Sequence, residues 1–169
     1  SLDAYKDLIQ NVHIPAETVM GYLKAIGRDN ARTPMQWDDS ENAGFTTGTP
    51  WLKVNKNYKE INAACQVNDP NSVFSYYKKL IHLRHTNDVM VEGKFDVLIP
   101  EHPKIFAYTR TFNEKQLLIL CNYSDKETVI PEEIQEKISK AYCILIQNYE
   151  KAEKTILRPY EAIVYEINY

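Results

Sequence analysis

The residues whose types and spacing suit chemistry lie in one stretch, residues 27–51. It opens Gly27-Arg28-Asp29-Asn30-Ala31-Arg32-Thr33-Pro34-Met35-Gln36-Trp37 and runs on through Phe45 to Trp51. Arg28 and Arg32 stand four apart and reach one spot if the backbone between them is helical. A guanidinium fork fixes a carboxylate or a pair of hydroxyls in defined geometry. Asn30 and Gln36 add donors and acceptors. Trp37, Phe45 and Trp51 offer flat faces on which the C–H face of a sugar packs. On composition alone a plainer reading leads: a turn-rich linker whose arginines pair with nearby Asp and whose aromatics are core. Within it, Asp38, Asp39 and Glu41 read as a solvated turn rather than paired catalytic carboxylates. Trp37 and Trp51 read as loop-packing residues ahead of stacking platforms.

The elements that must position this stretch follow from pattern. Residues 2–11 read as a helix. A second follows with Pro15 at an early helical position. From Gly27 to about Asn68 the helical period disappears, yet the aromatics argue against disorder, so this is an ordered, functional loop. Asp69 as cap and Pro70 at the first helical position start a helix. Its face is Val73, Tyr76, Tyr77, Leu80, Ile81 and Arg84. Lys78, Lys79, His82, Arg84 and His85 crowd its C-terminal half and suit the negative end of the dipole, with His82 and His85 exposed. Asn87-Asp88 ends it, and strands begin from Val89. About seven short strands follow, with Asn113-Glu114 as a hairpin turn and residues 117–123 as a strand buried on both faces. Residues 132–140 read as a polar connection with one helical turn. The pattern predicts an antiparallel sandwich and a boundary near residues 88–92.

The formal net charge is −3 and the sequence pI about 5.8, which excludes a basic surface for nucleic acid or an anionic membrane. No apolar run approaches the roughly 18 residues of a membrane span, and the polar start at Ser1 carries no secretory pattern. Cys65, Cys121 and Cys143 have no CxxC spacing and read as reduced thiols of a cytoplasmic protein. His13, His82, His85 and His102 are scattered, so neither metal nor cofactor is expected.

The stretch from Gly27 to Trp51 closely resembles the loop after the eighth barrel strand in the oligo-1,6-glucosidase branch of the α-amylase superfamily, glycoside hydrolase family 13. That branch includes trehalose-6-phosphate hydrolases, glucan 1,6-α-glucosidases and sucrose isomerases. Residues 57–62 resemble the segment after that loop. Residues 72–84 resemble the last barrel helix, and residues 157–165 the final strand of the C-terminal domain. The resemblance implies an α+β chain. The C-terminal end of a (β/α)8 barrel, with its loop and last helix, spans residues 1–90. An antiparallel β-sandwich C-terminal domain spans residues 91–169. It implies that Arg32 pairs with an upstream Asp at the floor of the sugar pocket and that Arg28 lies toward the leaving sugar.

The resemblance also implies that nucleophile, acid/base and stabilising Asp lie before this loop, so the chain alone is expected to be inactive. The whole enzyme would remove terminal α-1,6-linked glucose from isomalto-oligosaccharides with retention. Its partners would be that oligosaccharide and the missing N-terminal part of the barrel. The helix at 70–86, without its barrel, exposes some of Val73, Tyr77, Leu80 and Ile81 and invites self-association. Two alternatives stay open. One is a trehalose-6-phosphate hydrolase or related glucosidase. The other is a free-standing, non-catalytic β-sandwich that binds carbohydrate or protein.

Overall fold

The computed structural model describes residues 2–168; the side chains of Leu2, Ile26, Arg28, Asn30 and Asn168 are not described. The chain forms two compact units that meet between Pro70 and Asn71.

The first unit begins with helices α1 (Leu2–Gln10) and α2 (Ala16–Ile26). Pro15 is the residue before α2 rather than a helical one, and its fixed φ launches the helix. Gly27 ends α2 in an extended conformation, its N–H bonded to the Leu23 carbonyl at 2.9 Å. 3₁₀ turns follow at Arg28–Ala31 and Lys56–Lys59, with a left-handed turn at Glu41–Gly44 between them. The short helix α3 (Ala63–Val67) falls where no helical period was expected; Asn62 Oδ1 accepts from Cys65 N at 2.9 Å and caps it.

The second unit opens with α4 (Val73–Thr86). Its cap is Ser72, whose Oγ accepts from Ser75 N at 3.1 Å, so Asp69 and Pro70 are not the start that the sequence suggested. Both residue types cap well; Ser72 is the one directly before the helix. Asn87 ends α4 in extended conformation and its Oδ1 accepts from Val89 N at 3.0 Å, starting α5 (Asp88–Glu92). Strands therefore begin at β1 (Lys94–Leu98), not at Val89. On α4, Val73, Tyr77 and Ile81 are 68%, 62% and 54% exposed, so the apolar face lies open as expected.

The strands β2 (Ile105–Phe112), β3 (Lys115–Asn122), β5 (Ala141–Gln147) and β7 (Ala162–Asn168) join β1 in an antiparallel sheet of order β1-β2-β3-β7-β5. The hairpin turn Asn113-Glu114 is as expected, with Asn113 at φ 53° and Phe112 paired to Lys115. β4 (Thr128–Val129) and β6 (Ile156–Leu157) form a separate two-stranded ladder.

Residues 132–140 are not a mere polar link. Glu132–Ser139 form α6, with Glu132 and Glu133 complementing the positive end of the dipole. Ile134 and Ile138 lie on one face at helical spacing and are 1% and 2% exposed. They cover Leu118, Leu120, Ile163 and Ile167 of the sheet together with Ile130 and Leu157. On the opposite face Val89 and Met90 of α5 pack with Leu117 and Ile119. β3 is thus buried on both faces, as its apolar run requires. Because α5 contacts β2, β3 and α4, the packing divides the chain ahead of the boundary placed at residues 90/91.

The turn into β7 is a closed polar cluster. Glu161, 0% exposed, accepts from Arg158 N at 2.7 Å, Nε at 3.0 Å and Nη2 at 2.6 Å. The Arg158 guanidinium lies 4.0 Å from the centre of the Tyr149 ring. Within β7 lies Tyr165, 3% exposed, whose hydroxyl has no hydrogen-bond partner. Burial, and secondarily the Glu161 charge, push its pKa up to about 12. A raised folded pKa stabilises fully below the unfolded value near 10 and loses that contribution as pH rises toward 12. The loss amounts to roughly 2–3 kcal/mol. Tyr165→Phe is expected to remove this alkaline step and, by deleting an unpaired hydroxyl, to raise stability by about 1 kcal/mol at pH 7. Urea unfolding at pH 7, 10 and 11.5 reads both effects; a destabilised Phe variant would refute them.

Candidate functional site

The motif begins where α2 stops. Residues Arg28–Ala31 make one 3₁₀ turn, and Arg32 leaves it at φ −119°, ψ 18°, its N–H on the Asp29 carbonyl at 3.2 Å. The α-helical backbone that would set two arginines four apart on one face is therefore not present here: a 3₁₀ turn has three residues per turn and ends at Ala31. Arg32 is exposed. The side chain of Arg28 is outside the described residues.

Beyond Pro34 the loop is pinned rather than free. Ala63 N donates to the Gln36 carbonyl and Ala64 N to the Trp37 carbonyl, both at 2.9 Å. The Gln36 amide donates to the Ile61 carbonyl, so Gln36 holds the loop instead of facing a ligand with that group. Asn62, 3% exposed, donates to the Tyr58 carbonyl at 2.9 Å while capping α3. This buried amide thus joins the turn at residues 56–59 to the start of α3.

The turn at 38–48 is built around three successive left-handed residues, Asn42 (φ 54°), Ala43 (φ 59°) and Gly44 (φ 65°). Trp37 N and Asp38 N both donate to the Ala43 carbonyl, at 2.9 and 3.3 Å. Asn42 Nδ2 donates to the carbonyls of Thr46 and Gly48 at 3.3 and 3.2 Å. Asp38 accepts from both Ser40 Oγ and Ser40 N. Those bonds, the hydroxyl's first, hold its carboxyl below the usual carboxylate range. Asp38 is a turn brace, and Asp39 and Glu41 are exposed, in keeping with the solvated-turn reading.

The aromatics depart from expectation. Trp51 is 88% exposed and Trp37 53%, so neither is sunk into the loop. The residues that follow Trp51 in sequence, 52–56, line an open cleft of about 600 Å³ together with Asp29 and Thr33 of the motif. Lys53 and Lys56 in this wall were not singled out from sequence; no periodicity marks residues that meet across a loop.

This loop, braced by a buried amide and open on a polar cleft, lies within a segment that a family comparison identifies. The family described as "Alpha amylase, catalytic domain" matches residues 6–93. The chain belongs to the α-amylase family, and its mixed helices and antiparallel sheet are of that type. The oligo-1,6-glucosidase of Parageobacillus thermoglucosidasius is 48% identical over 174 residues, covering 99% of this chain and 30% of its own length. Trehalose-6-phosphate hydrolase of Bacillus subtilis is 41% identical, over 89% of this chain and 28% of that protein. The crystal structure of Bacillus licheniformis trehalose-6-phosphate hydrolase superposes with a TM-score of 0.88 at 38% identity, over 99% of this chain and 31% of that one. The chain spans about 30% of the length of these relatives.

Proposed function

We propose that this chain is the sugar-holding and bracing portion of a retaining α-glucosidase that removes terminal α-1,6-linked glucose from isomalto-oligosaccharides. Residues 1–90 supply the loop after the eighth barrel strand and the last barrel helix, and residues 91–169 an antiparallel sandwich. Arg32 fixes the terminal glucose and Arg28 lies toward the leaving sugar. The observation that carries this reading is the 48% identity to an oligo-1,6-glucosidase across 99% of the chain, motif loop included. A second reading, hydrolysis of trehalose-6-phosphate, is favoured by the likeness to hydrolases of that name. A cytoplasmic setting fits the three unbridged thiols.

Retaining hydrolysis needs two carboxylates about 5–5.5 Å apart. By the resemblance these belong to the upstream part of the barrel. The purified 169-residue chain is therefore expected to release no glucose from isomaltose or trehalose-6-phosphate above the uncatalysed background. Turnover of even about 1 s⁻¹, ordinary for an enzyme, would overturn the reading. Light scattering on the same sample is expected to show dimers formed through the open α4 face of Val73, Tyr77 and Ile81.

A further inference from the structure

We infer that the second unit carries a binding site of its own: the cavity between the α4–α5 joint and the β2–β3 turn takes a neutral, polyhydroxylated ligand, a short stretch of hexose units. Its residues, 86–89 and 112–115, belong to the second unit, whereas the motif loop belongs to the first. The inference therefore goes beyond the sugar-holding role given to Arg28 and Arg32.

The cavity measures about 620 Å³, a size that suits a small-molecule site. One wall is Thr86, Asn87 and Asp88, where α4 gives way to α5. The other is Asn113, Glu114 and Lys115, the hairpin turn and the first residue of β3. Both walls are fixed before any ligand arrives. Asn87 Oδ1 holds Val89 N at 3.0 Å, and Asn113 turns the chain at φ 53°. Val89 and Phe112, which also line the cavity, pack in one apolar cluster with Leu117 and Ile119. A site already in shape avoids much of the ordering cost of binding.

The lining chemistry selects the ligand. Asp88 and Glu114 supply acceptors, Lys115 supplies donors, and the Asn113 amide supplies both. Among the described residues none of these four side chains is engaged in a salt bridge or a side-chain hydrogen bond. An anion would face two carboxylates, and a cation would face the Lys115 ammonium. An apolar ligand would leave donors and acceptors without partners. Sugar hydroxyls donate to the carboxylates and accept from the ammonium and the amide, so a neutral sugar satisfies both kinds of group at once. Its C–H face has the apolar surface of Phe112 and Val89 to lie against.

Isomaltose, putrescine and inorganic phosphate, titrated separately into the intact 169-residue chain and followed by amide-detected NMR, test this. Isomaltose is expected to shift the backbone amides of residues 86–89 and 112–115 with a Kd on the order of 1 mM. Because the ligand is uncharged, that Kd should hold in about 0.5 M salt. Asp88→Ala/Glu114→Ala should weaken binding about tenfold, as the loss of hydrogen bonds to charged acceptors requires. Lys115→Gln, which keeps a donor without the charge, should bind within about twofold of the parent. Unchanged amide positions elsewhere would establish that the variants fold. Larger shifts of these amides with the diamine or with phosphate would overturn the neutral-ligand inference. An unchanged Kd in the alanine pair would overturn the role of the carboxylates. Absence of isomaltose shifts at 86–89 and 112–115 would overturn the site itself, whatever residues 27–51 do, and the response of those residues reports on the motif loop separately.

Discussion

Replacing Glu161 by alanine is expected to destabilise residues 71–169 by about 3–5 kcal/mol. The carboxylate is 0% exposed and takes three hydrogen bonds from Arg158, one from its backbone N–H and two from its guanidinium. Without it the guanidinium, only 23% exposed, keeps its charge but loses its counter-ion. Its remaining partners include the Lys151 carbonyl, the Tyr149 ring and the charge of Glu153. Leaving one member of such a pair alone costs more than the pair contributes, because the desolvation is already incurred. That asymmetry provides a control. Arg158→Met/Glu161→Leu removes both charges and keeps apolar volume, so it should cost far less than Glu161→Ala. Urea unfolding with an unchanged slope would report the difference. A loss below about 1 kcal/mol for Glu161→Ala would mean that the pair behaves as a surface salt bridge.

Gly44→Ala should cost about 2–3 kcal/mol in the first unit. Two effects add. At φ 65° a side chain strains the backbone, by about 1 kcal/mol. A β-carbon there would also sit 2.7 Å from Asp38 Oδ1, inside van der Waals contact, and Asp38 cannot swing away without releasing Ser40. In an Asp38→Ala background the steric part disappears, so the Gly44→Ala cost should fall to about 1 kcal/mol. Thermal melts followed by near-ultraviolet circular dichroism of the tryptophans would measure both steps. Equal costs in the two backgrounds would show that only backbone strain matters.

What could be read from sequence followed from periodicity and from strong stop residues. Residues 117–120 announce a doubly buried strand because no polar residue interrupts them, and Asn113-Glu114 announces its turn. The aromatics of residues 37–58 announce an ordered loop. What could not be read depended on contacts distant in sequence or on competing caps. Two isoleucines in an otherwise polar octapeptide were too little to mark α6, yet both are nearly fully buried because the sheet supplies the rest of their environment. Ser72 competes with Asp69 for the start of α4, and Asn87 serves as terminator and cap at once. In the loop, residue types were read correctly as polar and aromatic, but their duties were not. Gln36 is committed to backbone bracing, while Trp51 is left open. Three consecutive left-handed residues, one of them alanine, have no signature in composition.

The seating of Val89 against Leu117 and Ile119 has a consequence for how this family can be rearranged. The matched catalytic segment runs to residue 93, beyond α5. Yet α5 finishes one face of the strand unit that follows it. Inheritance and folding thus draw their lines in different places. A protease that cut at residue 93 would part α5 from the core that it closes, whereas a cut near Pro70 falls between the two compact units.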